Sequence, residues 1–199
     1  MEDIISKDIV KKLMNINGMV RGMAIKSHGD FVLKEKGRQD LEELERMMAE
    51  FGCPINHKKL QTWEFYPIGV EIVELLAIKK LFGFEDEKFE EIGSFESMSS
   101  LLIKVFLKYF TSFKTVAEQA PSIWKKYYTV GSLRIGEVNE RERYAVLILE
   151  NFKVHPLHCF HLKGYFASVL KMVVGSKVSC QETKCPFNGD SYHEFLLKW

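Results

Sequence analysis

After residue 154 the chain gathers three of its four cysteines and four of its six histidines: His155, His158, Cys159, His161, Cys180, Cys185 and His193. These residues fall on two separate elements. His155–Cys159 opens a helical stretch, and Cys180–His193 belongs to a terminal stretch that reads as a β-hairpin. If they share one site, the fold must bring the start of the helix against the last ribbon. A zinc ion takes four thiolate, imidazole or carboxylate ligands in a tetrahedron. Cys159, Cys185 and His193 supply three, and the fourth is Glu182 or Cys180. Residues 180 and 182 project to the same face of a strand, so spacing alone leaves that choice open. His155 and His158, flanking Pro156 and Leu157, are read as structural. Cys53 and His57 lie apart in a probable loop before and after Pro54, and His28 is isolated.

The rest of the composition narrows the class. Hydrophobic residues make up 46% of the 199 positions and charged residues 28%, as in an ordinary globular protein. The formal charge of +1 lacks the basic surplus of a nucleic-acid or anionic-membrane binder. Charges interrupt the N-terminal stretch and every apolar run, so neither a signal peptide nor a membrane span is expected. A cytoplasmic protein follows, in which cysteines serve metal or redox chemistry more than disulfides.

Periodicity predicts a short helix over 4–15, a strand over 18–26 and a helix over 37–51 closed by Gly52. A third helix follows Pro67, with Ile68, Ile72, Leu75 and Leu76 facing inward. A long helix begins at Ser94 or Ser97 and runs to Phe113 as the central buried element, and Pro121 opens a short helix around Trp124. Residues 128–138 and 144–152 read as a hairpin, 155–174 as a helix ended by Gly175, and 177–182 with 192–199 as a second hairpin turned at Asn188-Gly189. No repeat or linker divides the chain. The expected fold is one α+β domain, an antiparallel sheet packed by helices on one face.

The stretch from Cys159 to Trp199 resembles the 4-vinyl-reductase domain, the ligand-binding module of phenol-responsive transcription activators. In those sensors zinc is held by a Cys, a Glu 23 residues on, a Cys 3 further and a Cys 8 beyond. Here Cys159, Glu182, Cys185 and His193 stand in that register, with His for the last Cys. The resemblance therefore selects Glu182 over Cys180, which is kept as the alternate ligand, and implies a structural zinc. With two thiolates and a carboxylate such a site would carry one negative charge, for which Lys177 and Lys184 are the nearby cations. The resemblance also implies a dimer and a protein signalling partner.

Over the rest of the chain the layout is similar to the wider superfamily of haem–nitric-oxide sensors and TRAPP vesicle-tethering subunits. Haem held in that family's manner needs a histidine on a central helix and a Tyr-x-Ser-x-Arg motif. Ser132 and Arg134 match, but Val130 stands at the Tyr position, and no histidine lies between His57 and His155. The guest is instead expected to be a small hydrophobic or aromatic molecule. Its walls would be Trp63, Phe65, Tyr66, Phe106, Tyr109, Phe110 and Trp124, with Arg21, His28 or Tyr128 as polar anchors. In the phenol sensors a His and a Trp anchor the ligand; Trp124 is in the comparable stretch, without the His. Two other readings follow from the relatives: a scaffold holding a lipid or acyl chain, and a tetrapyrrole-related reductase. The second lacks a G-x-G-x-x-G fingerprint.

Overall fold

The computed structural model describes residues 4–109 and 113–199, with the backbone alone for Phe106, Lys108, Tyr109, Phe113 and Lys114. Helix α1 (Lys7–Met14) starts where the Ser6 hydroxyl accepts the Ile9 N–H, and it buries Val10 and Leu13. The strand expected over 18–26 is shorter. Only β1 (Met19–Arg21) is extended, and α2 (Gly22–Glu35) begins at once. The alternation of small and apolar residues in that stretch is ambiguous. What decides is the burial of Ala24, Ile25, His28, Phe31 and Val32, which recur at helical spacing. Helix α3 (Arg38–Glu50) turns Leu41, Leu44 and Met48 inward. Strand β2 (Phe65–Pro67), absent from the sequence reading, pairs antiparallel with β1, with Val20 opposite Tyr66.

Helix α4 (Ile68–Phe82) starts directly after Pro67, as expected, but its burial is not one-sided. Every residue from Ile68 to Ile78 is buried, Glu71 and Glu74 included. A helix apolar nearly all round belongs at the centre of a fold. This corrects the expectation that the stretch to Phe113 is central. That stretch is two helices, α5 (Asp86–Ser99) and α6 (Leu101–Tyr109), separated at Ser100, whose backbone is extended. Ser94 and Ser97 lie inside α5, where the Ser97 hydroxyl donates to the Ser94 carbonyl. On α6, Leu101 and Val105 are 67% and 48% exposed. Helix α7 (Phe113–Tyr127) likewise begins well before Pro121, which sits inside it.

The four-stranded sheet has the order β3 (Ser132–Asn139), β4 (Tyr144–Glu150), β6 (His193–Lys198), β5 (Ser179–Lys184), every pair antiparallel. Leu133, Ala145, Leu147, Leu149, Phe195 and Leu197 are buried on one face, while Arg134, Glu194 and Lys198 stand on the other. Helix α8 (Pro156–Val174) packs on the buried face. The His155 imidazole Nδ1 accepts the Leu157 N–H at its start, and Gly175 in the left-handed conformation ends it.

Helices α5 and α8 approach backbone to backbone. A Cβ on Gly93 would stand 1.9 Å from the His161 carbonyl oxygen, and one on Gly164 would stand 1.8 Å from that of Glu90. This crossing brings Glu96 beside His161. No helix among the described residues is long and apolar enough to cross a membrane.

Candidate metal centre, apolar cavity and buried histidine network

The four residues in register converge. Cys159 lies on the first turn of α8, Glu182 on β5, Cys185 just past the end of β5 and His193 at the head of β6. One ligand atom from each lies within 4.8 Å of all the others. The two Sγ atoms are 3.9 Å apart, and Cys159 Sγ is 3.9 Å from His193 Nδ1. That is about twice a disulfide bond length, so the thiols are free. It is close to the edge of a tetrahedron around an ion with bonds of about 2.0–2.3 Å, roughly 3.3–3.8 Å.

The imidazole is held for such a task. His193 Nε2 lies 2.5 Å from the Phe152 carbonyl oxygen, which can only accept, so Nε2 carries the proton. In the neutral ring Nδ1 then turns a lone pair toward Glu182 Oε1, 2.7 Å away. Two acceptors at that distance require a cation or a proton between them. Burial, followed by the Glu182 charge, raises the Cys159 thiol well above its ordinary value, and burial also raises Cys185. A metal ion would be needed to deprotonate both.

Cys180 is on the same strand face but outside the group of four, and burial pushes its thiol up to about 12. Lys184 does not neutralise the cluster as expected. Its Nζ donates to Tyr192 Oη at 2.7 Å and to Glu194 Oε2 at 3.1 Å, on the sheet's other face.

An apolar cavity of about 90 Å³ lies between α7, α8 and the inner face of the sheet. Trp124 is in its wall, stacked on Tyr128 with ring centres 4.5 Å apart, and its Nε1 donates to the Val130 carbonyl. The other expected walls are elsewhere. Trp63 is 59% exposed, because it follows a surface turn, and Tyr66 Oη accepts the Gln61 N–H at the β1–β2 ribbon. Phe65 lies under the Arg21 guanidinium, which also donates to the carbonyls of Trp63 and Lys126; Arg21 is therefore a clasp on the ribbon. The side chains of Phe106 and Tyr109, and all of Phe110, lie outside the described residues. Of the three suggested anchors only Tyr128 lines the cavity, and its hydroxyl donates to Glu71 Oε1 at 3.0 Å.

Behind the cavity lies a network that the sequence reading missed. Glu74 bridges two imidazoles: Oε2 is 2.9 Å from His28 Nδ1, and Oε1 is 2.5 Å from His57 Nε2. His57 Nδ1 reaches Glu45 Oε1 at 3.0 Å, near the surface. On the far side, His28 Nε2 is 3.3 Å from His161 Nε2, and Glu96 Oε2 is 3.0 Å from the latter. Burial lowers the His28 pKa, but hydrogen bonds to Glu74 and Glu96 outweigh it and raise the group to about 10. Burial raises Glu96, yet the facing His161 and His28 imidazoles hold it at about 2. His158 sits nearby, with Nε2 3.4 Å from Tyr128 Oη. One signal was present in the sequence: Glu71 and Glu74, one turn apart within an otherwise apolar helix.

No family model and no curated protein matches the chain. Solved structures do. An H-NOX protein from S. oneidensis in the Fe(II)NO ligation state superposes with a TM-score of 0.65 at 11% identity, over 89% of this chain and 98% of that one. The unliganded Fe(II) H-NOX protein from K. algicida gives 0.65 at 12%, over 89% and 95%. An NMR structure of the Shewanella oneidensis H-NOX domain in the Fe(II)CO state gives 0.66 at 14%, over 89% and 97%. The chain thus has the α+β fold of the haem–NO-binding domains, as the layout implied.

The residues present do not fit the haem of that family. The cavity, at about 90 Å³, is well below the ~300 Å³ at which pockets for drug-sized ligands begin. Among the described residues, no lysine or arginine lines it. Arg134, from the partial motif, pairs with Glu150 at 3.0 Å on the outer face of the sheet. His161, the histidine in the lining, turns its Nε2 to Glu96 and His28.

Proposed function

We propose that this chain is a small-molecule-binding sensor domain of the 4-vinyl-reductase type, with a structural zinc ion held by Cys159, Glu182, Cys185 and His193. The observation that supports it most is the meeting of these four donors, from α8 and the terminal ribbon, around one point. Two thiolates, an imidazole and a carboxylate form a closed set suited to zinc. The ion supplies a cross-link between α8 and the ribbon. The chain's own residues do the rest: the Phe152 carbonyl orients His193, and Asp190 Oδ2 accepts the Cys185 N–H at 2.8 Å to hold the loop. Four protein ligands leave no open position, so the role is structural.

The guest belongs in the apolar cavity against Trp124 and Tyr128. An engineered cavity of about 150 Å³ takes benzene. One of about 90 Å³ suits a guest of a few heavy atoms, or a ring admitted as the walls part, better than an acyl chain. Output would pass to a partner protein or a second copy of the chain.

Elemental analysis of the purified protein, with native mass spectrometry and thermal shift against phenol, toluene and palmitate, tests both halves. We expect zinc in the parent that is lost in Cys159→Ser, and a raised melting temperature with the small aromatics only. Zinc content unchanged in Cys159→Ser overturns the clamp. Stabilisation by palmitate alone overturns the compact guest.

A further inference from the structure

The buried network offers a second set of converging ligands. His28 Nε2 on α2, Glu96 Oε2 on α5 and His161 Nε2 on α8 form a triangle with edges of 3.3, 3.7 and 3.0 Å. Nitrogen and oxygen ligands at about 2.0–2.2 Å from one ion, at angles of roughly 90–110°, stand about 2.8–3.6 Å apart. All three side chains are at most 3% exposed.

Two independent features indicate that something cationic belongs between them. Glu96 Oε2 is buried without a hydrogen bond of acceptable geometry, although it faces both imidazoles. An orphaned carboxylate oxygen in a protein interior is costly unless a cation meets it. Among the described residues, the ion-pair partners of Glu71, Glu74 and Glu96 are histidines only, with no lysine or arginine. Moreover, the imidazole of His28 is oriented from behind. Glu74 accepts at Nδ1, so Nε2 faces the other two donors, where an ion would displace its proton. Glu74 is in turn held by His57, and His57 by Glu45. A carboxylate behind a ligating histidine is the usual second layer of a metal site.

We infer that His28, Glu96 and His161 form a second metal site, taking a divalent transition ion such as Fe2+ or Co2+ through two imidazoles and one carboxylate. This donor set differs from the cysteine cluster in having no sulfur, and it leaves coordination positions open. Glu96 and His161 both line the apolar cavity, so those positions adjoin the space assigned to the guest. Glu96 also borders a surface groove between α2, Thr62–Trp63 and Ser99–Leu102, which is a route for the ion. The site holds independently of the zinc clamp. A guest carrying an oxygen or nitrogen donor could bind the ion directly.

Titration of the purified wild-type chain with Co2+ under anaerobic conditions tests the inference without any variant. Total divalent metal at saturation should be two per chain. One cobalt should show visible d–d bands without the near-ultraviolet thiolate band of a cysteine-bound ion. Saturation at a single thiolate-bound metal per chain, or thiolate bands accounting for all the cobalt, overturns the second site while leaving the zinc clamp standing. Two sulfur-free ions would sink the clamp and keep this site. Glu96→Gln and His161→Gln should each abolish the sulfur-free spectrum. Glu74→Gln should weaken binding about 10–100-fold without abolishing it. Retention of the spectrum by both ligand variants also overturns the assignment.

Discussion

A cluster of four donors at the terminal ribbon and one of three in the core are built in opposite ways. The cysteine cluster joins the first turn of α8 to the terminal ribbon, and its donors come from within 35 residues of chain. The histidine–glutamate cluster lies where three core helices meet, and its donors are spread from residue 28 to residue 161. At the ribbon, the donors gather beside a packed contact, Phe166 of α8 against Phe195 of β6. In the core, the helices pack without help, and the polar groups must suit one another inside a finished hydrophobic shell. Soft donors at an edge and hard donors in an interior therefore imply different consequences when removed.

The largest effect should come from the core. Glu74→Ala leaves the His28 and His57 imidazoles buried without their shared carboxylate, a loss of about 3–5 kcal/mol. Chemical denaturation should show it as a drop in midpoint; a drop under 1 kcal/mol would mean that the network is not integral to the core. Next, Cys185→Ala should melt several degrees below the parent, about 3 °C for each kcal/mol lost in a chain of this size. Chelation should lower the parent by more than it lowers the variant. Equal melting of parent and variant would erase the contrast between edge and core.

Gly164→Ala sharpens the contrast from the other side, since it touches neither cluster's donors. Its Cβ would collide with the Glu90 carbonyl and push α5 from α8, costing about 1–3 kcal/mol. Cobalt at the sulfur-free site should weaken, while the thiolate bands remain. Last, Cys53→Ala should leave metal content unchanged and alter stability by about 1 kcal/mol, as its thiol is buried and donates to the Met14 sulfur at 3.7 Å. Loss of metal in this variant would place a ligand where neither cluster has one.

The ribbon was legible because its signals are local. Pro156 and Gly175 bound α8, Asn188-Gly189 turns the terminal hairpin, and the spacing of Cys159, Glu182, Cys185 and His193 is short enough to read as a register. The α+β class followed from alternation in the same way. The helical half was legible only in part. A window of apolar residues cannot show whether a helix buries one face or all of them, which is why α4 and α6 exchanged roles. Aromatic side chains carry no mark of direction, so Trp63 and Trp124 looked alike, although one is on the surface and the other in the cavity.

The histidine network was illegible for a stronger reason. Nothing in the local chain relates residues 28, 96 and 161; they meet because Gly93 and Gly164 let two helix backbones touch. By itself the sequence determined the extent of α1, α3, α4 and α8, the two hairpins and three donors of the terminal ribbon, all set by short-range backbone preference and spacing. Which helix is central, where the hollow lies and which acids face which imidazoles were decided only in three dimensions. Those outcomes depend on close packing between distant segments, and packing is a property of surfaces that no single segment possesses.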